Sequence, residues 1–118
     1  MFEICVEHTF AAGHALRNYH GKCENVHGHN YRVQVAVEGA DVDENGLLHD
    51  FADLKKRLRS TTEYLDHRFI NDLKPFDEIN PSAENIAKWI CDEIRRDIPA
   101  VSYVKVWETD TSFAIYRP

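Results

Sequence analysis

The chain has 118 residues, enough for one domain (1–118) with its own core but small enough to leave much surface exposed, so self-association is expected. A formal net charge of -6 and a pI near 5.6, with no run of Lys or Arg, exclude the electrostatic footprint of a nucleic-acid-binding protein. No apolar stretch approaches the roughly 20 residues of a membrane span, no leader pattern opens the chain, and three cysteines without a Cys-x-x-Cys pair argue against a disulfide framework; the expectation is a cytoplasmic protein without membrane contact.

Phe2 to Phe10 alternates Phe2, Ile4 and Val6 with Glu3, Cys5 and Glu7, the period of a half-buried strand. His29 to Glu38 repeats it with Tyr31, Val33, Val35 and Val37 on one face. His27 and His29 share that parity and therefore point inward from the start of the strand. Gly39 to Gly46 reads as a connection. Asp50 can cap a helix with apolar positions Phe51, Leu54, Leu58 and Leu65, leaving Lys55, Lys56, Arg57 and Arg59 as a solvated face. Asn80-Pro81-Ser82 opens a second helix, with Ala83, Ile86, Ala87, Ile90, Ile94 and Ile98 as its buried stripe and Pro99 as its end. Cys91 beside that stripe and Cys5 on the first strand read as small core residues. Val101–Thr109 and Ser112–Arg117 are two further strands. Strand, strand, helix, helix, strand, strand gives the α+β class, an antiparallel sheet with both helices on one face.

The chemistry concentrates in Cys23-Glu24-Asn25-Val26-His27-Gly28-His29. Residues i and i+2 of a strand face one way, so His27 and His29 can grip one ion. His14, closing Phe10-Ala11-Ala12-Gly13-His14, is the third imidazole, and three imidazoles on zinc leave a fourth position open, as in catalytic sites. Cys23 is either a fourth ligand, which would close the site, or a thiolate activated by the nearby cation. Asp66-His67 is an adjacent acid and imidazole that can orient and activate each other, or simply a helix end. Glu108 shares the parity of Val104 and Val106, an acid on an apolar face that needs a ligand or an exposed strand end; two adjacent N–H donors of a guanine-like or pterin ring would match it. His8, His20 and His49 belong to no such constellation.

Together, Phe10-Ala-Ala-Gly-His14, Cys23-x-x-x-His27-Gly-His29-Asn-Tyr31, Asp50-Phe51-x-x-Leu54-Lys55, Leu65-Asp66-His67, Asn80-Pro-Ser-x-Glu84-Asn85 and Glu108-Thr109 resemble the 6-pyruvoyltetrahydropterin synthase family along nearly the whole chain. The resemblance implies a tunnelling fold: a four-stranded sheet with two outer helices, a trimer closing a twelve-stranded barrel, two trimers stacked into a hexamer, and active sites at subunit interfaces. It implies His14, His27 and His29 as zinc ligands, Cys23 as catalytic thiol, Asp66 and His67 completing the proton-transfer group, and Glu108 anchoring the pterin. The three residues between Cys23 and His27 resemble the bacterial 6-carboxy-5,6,7,8-tetrahydropterin synthase branch, which feeds queuosine synthesis from 7,8-dihydroneopterin triphosphate and releases acetaldehyde and triphosphate. Triphosphate elimination without side-chain cleavage, giving the pyruvoyl product, is the alternative. From the residues alone, a zinc-hydroxide hydrolase and a non-catalytic zinc module for assembly also remain open.

Overall fold

The computed structural model describes residues 1–18, 21 and 24–118. Strands β1 (Phe2–His14), β2 (His27–Gly39), β3 (Val101–Thr109) and β4 (Ser112–Tyr116) form one antiparallel sheet in the order β1-β2-β3-β4, and helices α1 (Phe51–Thr62) and α2 (Ala83–Arg95) lie between β2 and β3 in the chain. Both helices pack on one face, α1 over β1 and α2 over β3 and β4. This is the expected four-stranded sheet with two helices on one side.

Period-two alternation sets the two faces. Val6, Phe10, Tyr31, Val33, Val35, Val104 and Val106 are buried beneath the helices. Ile86, Ile90 and Ile94, fully buried one turn apart on α2, fill the other side of the core. Truncating any one of them to alanine costs about 2–5 kcal/mol. The sheet's bare face carries Arg32 at 3.6 Å and Lys105 at 4.2 Å over the Trp107 ring, so cations cover its aromatic surface.

Several local expectations shift. β1 runs to His14 because Gly13 pairs with Gly28 and His14 with His27, extending the ladder through a stretch poor in β-formers. The Asp50 carboxylate accepts from the Ala52 amide and the Ser82 hydroxyl from Asn85, capping the two helices as expected. Leu65 and Ile98, buried as predicted, lie beyond the helix ends, and Phe51 is 51% exposed. Arg57 is no solvated cation: it donates to Asp97 at 2.6 Å and to the Glu93 carbonyl at 2.7 Å, tying α1 to the end of α2. Cys91 is core, its thiol pushed up to about 11 by burial. Cys5 instead sits half-buried on the bare face, 3.6 Å from the Tyr103 hydroxyl.

Candidate metal centre and active site

Antiparallel pairing brings His14, at the end of β1, opposite His27, at the start of β2, and the strand period adds His29 on the same face. The fourth member arrives from β3. Glu108 lies between Trp107, paired with Phe113, and Thr109, paired with Ser112, so it has no partner on β4 and forms a bulge. A bulge re-aims a side chain, here toward the histidines. One ligand atom from each of His14, His27, His29 and Glu108 lies within 4.8 Å of all the others.

The backbone dictates which ring nitrogens face inward. His14 Nδ1 donates to the Pro81 carbonyl at 2.7 Å, and His27 Nδ1 to the Asn25 carbonyl at 2.7 Å. A carbonyl can only accept, so each Nδ1 carries a proton and the neutral ring is left with a lone pair on Nε2. Those two Nε2 atoms face each other at 2.9 Å, with Glu108 Oε1 3.0 Å from that of His14. Burial pushes the fully enclosed His14 below the ordinary imidazole value, favouring the neutral ring. Lone pairs and a carboxylate oxygen crowded to about 3 Å repel unless a positive charge lies among them.

His29 Nε2 lies 3.1 Å from the same oxygen but makes no hydrogen bond to the described residues, a buried ring nitrogen without a partner among them. Burial lowers its pKa as well. Metal–nitrogen bonds of 2.0–2.1 Å in a tetrahedron set ligand atoms about 3.3 Å apart. The donors stand within a few tenths of an ångström of that along three of their edges. Imidazole nitrogens with a carboxylate oxygen therefore fit a divalent transition metal, and the orphaned His29 nitrogen is what such an ion satisfies. The backbone after His14 is held from two places: Asn71, in a short 3-10 helix after α1, bonds Ala15 through both amide ends, and Asn80, just before α2, does the same for Arg17 beside Pro81.

Asp66 and His67 meet as expected. Asp66 Oδ1 lies 2.9 Å from His67 Nδ1 and accepts from the Ala11 amide at 3.0 Å. The Ala11 bond is the main reason its carboxyl lies below the usual carboxylate range. His67 adopts a left-handed φ of 59°, held by its own amide to the Ala11 carbonyl at 2.6 Å and by the Gly13 amide to the Arg68 carbonyl at 3.0 Å. The segment after α1 thus docks on the free edge of β1. The His67 imidazole is 82% exposed. His67 and His29 line one cavity of about 540 Å³, whose floor is the paired Gly13 and Gly28. A Cβ at either glycine would make only ordinary contacts at 3.5 Å, so the chain itself does not demand the bare floor.

Cys23, the expected thiol, and His20 lie outside the described residues. Glu108 is the expected acid among apolar neighbours, but one of its two oxygens faces the histidines. Its other neighbourhood is a cavity of about 370 Å³ shared with Glu84, Ser112 and Phe113. Glu84, in the first turn of α2, has no role that its motif Asn80-Pro-Ser-x-Glu84 reveals by itself; the tertiary fold sets it beside Glu108.

A sequence model of the family described as 6-pyruvoyl tetrahydropterin synthase matches residues 3–118. A 6-carboxy-5,6,7,8-tetrahydropterin synthase of Haemophilus influenzae is 32% identical over 99% of this chain and 99% of that protein. The human 6-pyruvoyl tetrahydrobiopterin synthase is 38% identical over 82% of this chain and 71% of its own length. The solved 6-pyruvoyl tetrahydropterin synthase of Caenorhabditis elegans superposes with a TM-score of 0.87 at 27% identity, covering 100% of this chain and 97% of that one.

Proposed function

The chain belongs to the 6-pyruvoyl tetrahydropterin synthase family, and on that premise we propose that it is a zinc-dependent lyase. It converts 7,8-dihydroneopterin triphosphate and water to 6-carboxy-5,6,7,8-tetrahydropterin, acetaldehyde and triphosphate, a cytoplasmic step toward queuosine. The observation carrying the metal assignment is the 2.9 Å approach of the His14 and His27 Nε2 atoms, both Nδ1 atoms being held by carbonyls, with Glu108 Oε1 3.0 Å from His14 Nε2. Bound zinc supplies Lewis acidity that makes the protons of the substrate's hydroxylated side chain easier to remove.

His14, His27 and His29 hold the ion, and the Pro81 and Asn25 carbonyls fix two of the rings in the tautomer that presents Nε2. Asp66 orients His67 through Nδ1, leaving Nε2 to take or return a proton at the substrate side chain. Cys23 is the second proton-transfer group. Glu108 contacts the pterin, and Glu84, on the same cavity, offers a second carboxylate to ring N–H donors. The glycine floor between His29 and His67 leaves room for substrate without an intervening side chain.

The carboxy product is assigned from the names of the bacterial relatives and from the short Cys23-to-His27 spacing. The human relative, 38% identical, favours the pyruvoyl product as the second reading. A non-catalytic zinc module with Cys23 as fourth ligand is the third reading, and turnover of a pterin triphosphate separates it from the enzyme. The assembly is a hexamer of two trimers. Its support is that β1 and β4 are edge strands with Phe2, Phe113 and Ile115 exposed on them, and neighbouring copies would cover such edges. Mass spectrometry of the products from dihydroneopterin triphosphate, with zinc as sole cofactor, tests the reaction. Accumulating 6-pyruvoyltetrahydropterin with no trapped acetaldehyde overturns the branch, and no turnover of the pterin triphosphate overturns the enzyme.

A further inference from the structure

Among the described residues two buried side-chain polar atoms lack a hydrogen-bond partner, His29 Nε2 and Tyr31 Oη, and their residues share the core face of β2 two positions apart. Small proteins keep few such atoms, and two side by side mark a place completed by something other than the chain's resting contacts. A metal on the histidines satisfies the first. It leaves the second unexplained. The Tyr31 ring is fully buried, stacked on Phe10 at 5.0 Å and edge-on to His14 at 5.8 Å and to His29 at 5.5 Å. Phenylalanine would fill the same space without an orphaned hydroxyl. A tyrosine hydroxyl carries its proton at neutral pH and so has an O–H to donate.

A donor in this position needs an acceptor with a lone pair to offer. Glu108 has a second oxygen that makes no hydrogen bond or ion pair to the described residues, and its bulged backbone leaves a long side chain with little to fix it. We propose that Tyr31 is a positioning residue for Glu108: with a metal on the three histidines, its hydroxyl donates to the Glu108 carboxylate and holds one oxygen toward the metal and the other toward substrate. A carboxylate oxygen carries two lone pairs, so the Tyr31 bond still leaves an acceptor for the ligand. Carboxylates at metal sites are themselves held by such outer hydrogen bonds, and losing one typically weakens metal binding ten- to a hundredfold. The proposal rests on the metal reading of the cluster and not on the assigned reaction.

Tyr31→Phe tests it in the intact chain, without substrate. Zinc affinity, measured by competition with a chromophoric chelator, should fall about tenfold or more, and the visible bands of the cobalt(II) form should shift. The metal-free variant should melt no lower than the parent, because only an unpaired hydroxyl is lost. In a double-mutant cycle with Glu108→Gln, the double variant should bind zinc no more weakly than the worse single one, since the two groups act as one unit. Unchanged zinc affinity with an unchanged cobalt spectrum in Tyr31→Phe overturns the proposal, as do fully additive losses in the cycle. A parent chain that binds neither zinc nor cobalt overturns this proposal and the metal reading together. Zinc effects as expected with no turnover of a pterin triphosphate remove only the reaction.

Discussion

Alanine at His14 and at His27 should separate metal binding from folding, because the structure gives the two imidazoles the same inward task but different outward ones. His14 is fully buried, and its Nδ1 is the partner of the Pro81 carbonyl. Removing it orphans that carbonyl at a cost of about 1–3 kcal/mol, to which lost ring packing against His27, His29 and Tyr31 adds. The opposing gain is relief of the Nε2 crowding. It offsets only part of that cost, because His29 Nε2 and Glu108 Oε1 stay 3.1 Å apart when His14 is removed. His27 bonds the Asn25 carbonyl at the exposed rim, where water replaces the lost donor at little cost. With about 3–5 °C per kcal/mol for a chain of this length, metal-free His14→Ala should melt roughly 3–15 °C below the parent and metal-free His27→Ala within about 2 °C of it. Both variants should lose bound zinc, read by mass spectrometry of the metal after exhaustive dialysis. Full zinc occupancy in His27→Ala refutes the ligand set, and an unshifted melt for His14→Ala refutes the account of its buried carbonyl partner.

Cys23→Ala should keep zinc and fold while losing turnover; recovery of a zinc-free or unfolded protein would make the thiol a ligand instead. Asp66→Asn should lower kcat with little change in substrate affinity, since the exposed pair orients a proton carrier and does not grip the ring; a rise in KM at constant kcat contradicts that role. Glu108→Gln should weaken pterin binding by about 2–5 kcal/mol, because an amide presents a donor to the ring's own N–H groups, and unchanged affinity in calorimetry would remove Glu108 from the substrate site. In acid, burial holds the folded-state pKa of His14 and His29 below the unfolded value of 6.5, so above that pH both states are neutral and below it the unfolded chain takes up protons first. Metal-free stability should therefore fall as pH drops from 6.5, and a urea midpoint that stays flat between pH 7 and 5 contradicts it.

The fold was legible where a local period decides the outcome. Val33, Val35 and Val37 alternate, Ile86, Ile90 and Ile94 recur at helical spacing, and Asp50 and Ser82 carry cap chemistry, so the face and start of each element follow from nearby residues alone. What the pattern missed depends on distant partners. β1 continues through Ala11, Ala12 and Gly13 because residues 27–30 and the Arg68 carbonyl supply its hydrogen bonds, which no propensity of those small residues foretells. Arg57 looked like one more exposed cation until the end of α2 set Asp97 and the Glu93 carbonyl beside it, nearly forty residues away in sequence.

The site divides along the same line. His27 and His29 are a same-face pair by strand period alone, and Asp66 and His67 are chain neighbours, so each pair could be named without knowing the fold. Parity singles out Glu108, but the bulge that turns it toward the histidines depends on how β3 pairs with β4, so its nearness to a possible metal site is not readable from strand period alone. Tyr31 reads as core in the sequence because an aromatic on a valine face is ordinary core content, and only its hydroxyl, without a partner among the described residues, separates it from one. Composition and periodicity register how much apolar surface a residue brings. They do not register which polar atom at its tip goes unanswered, and that atom is where a packed residue and a working one differ.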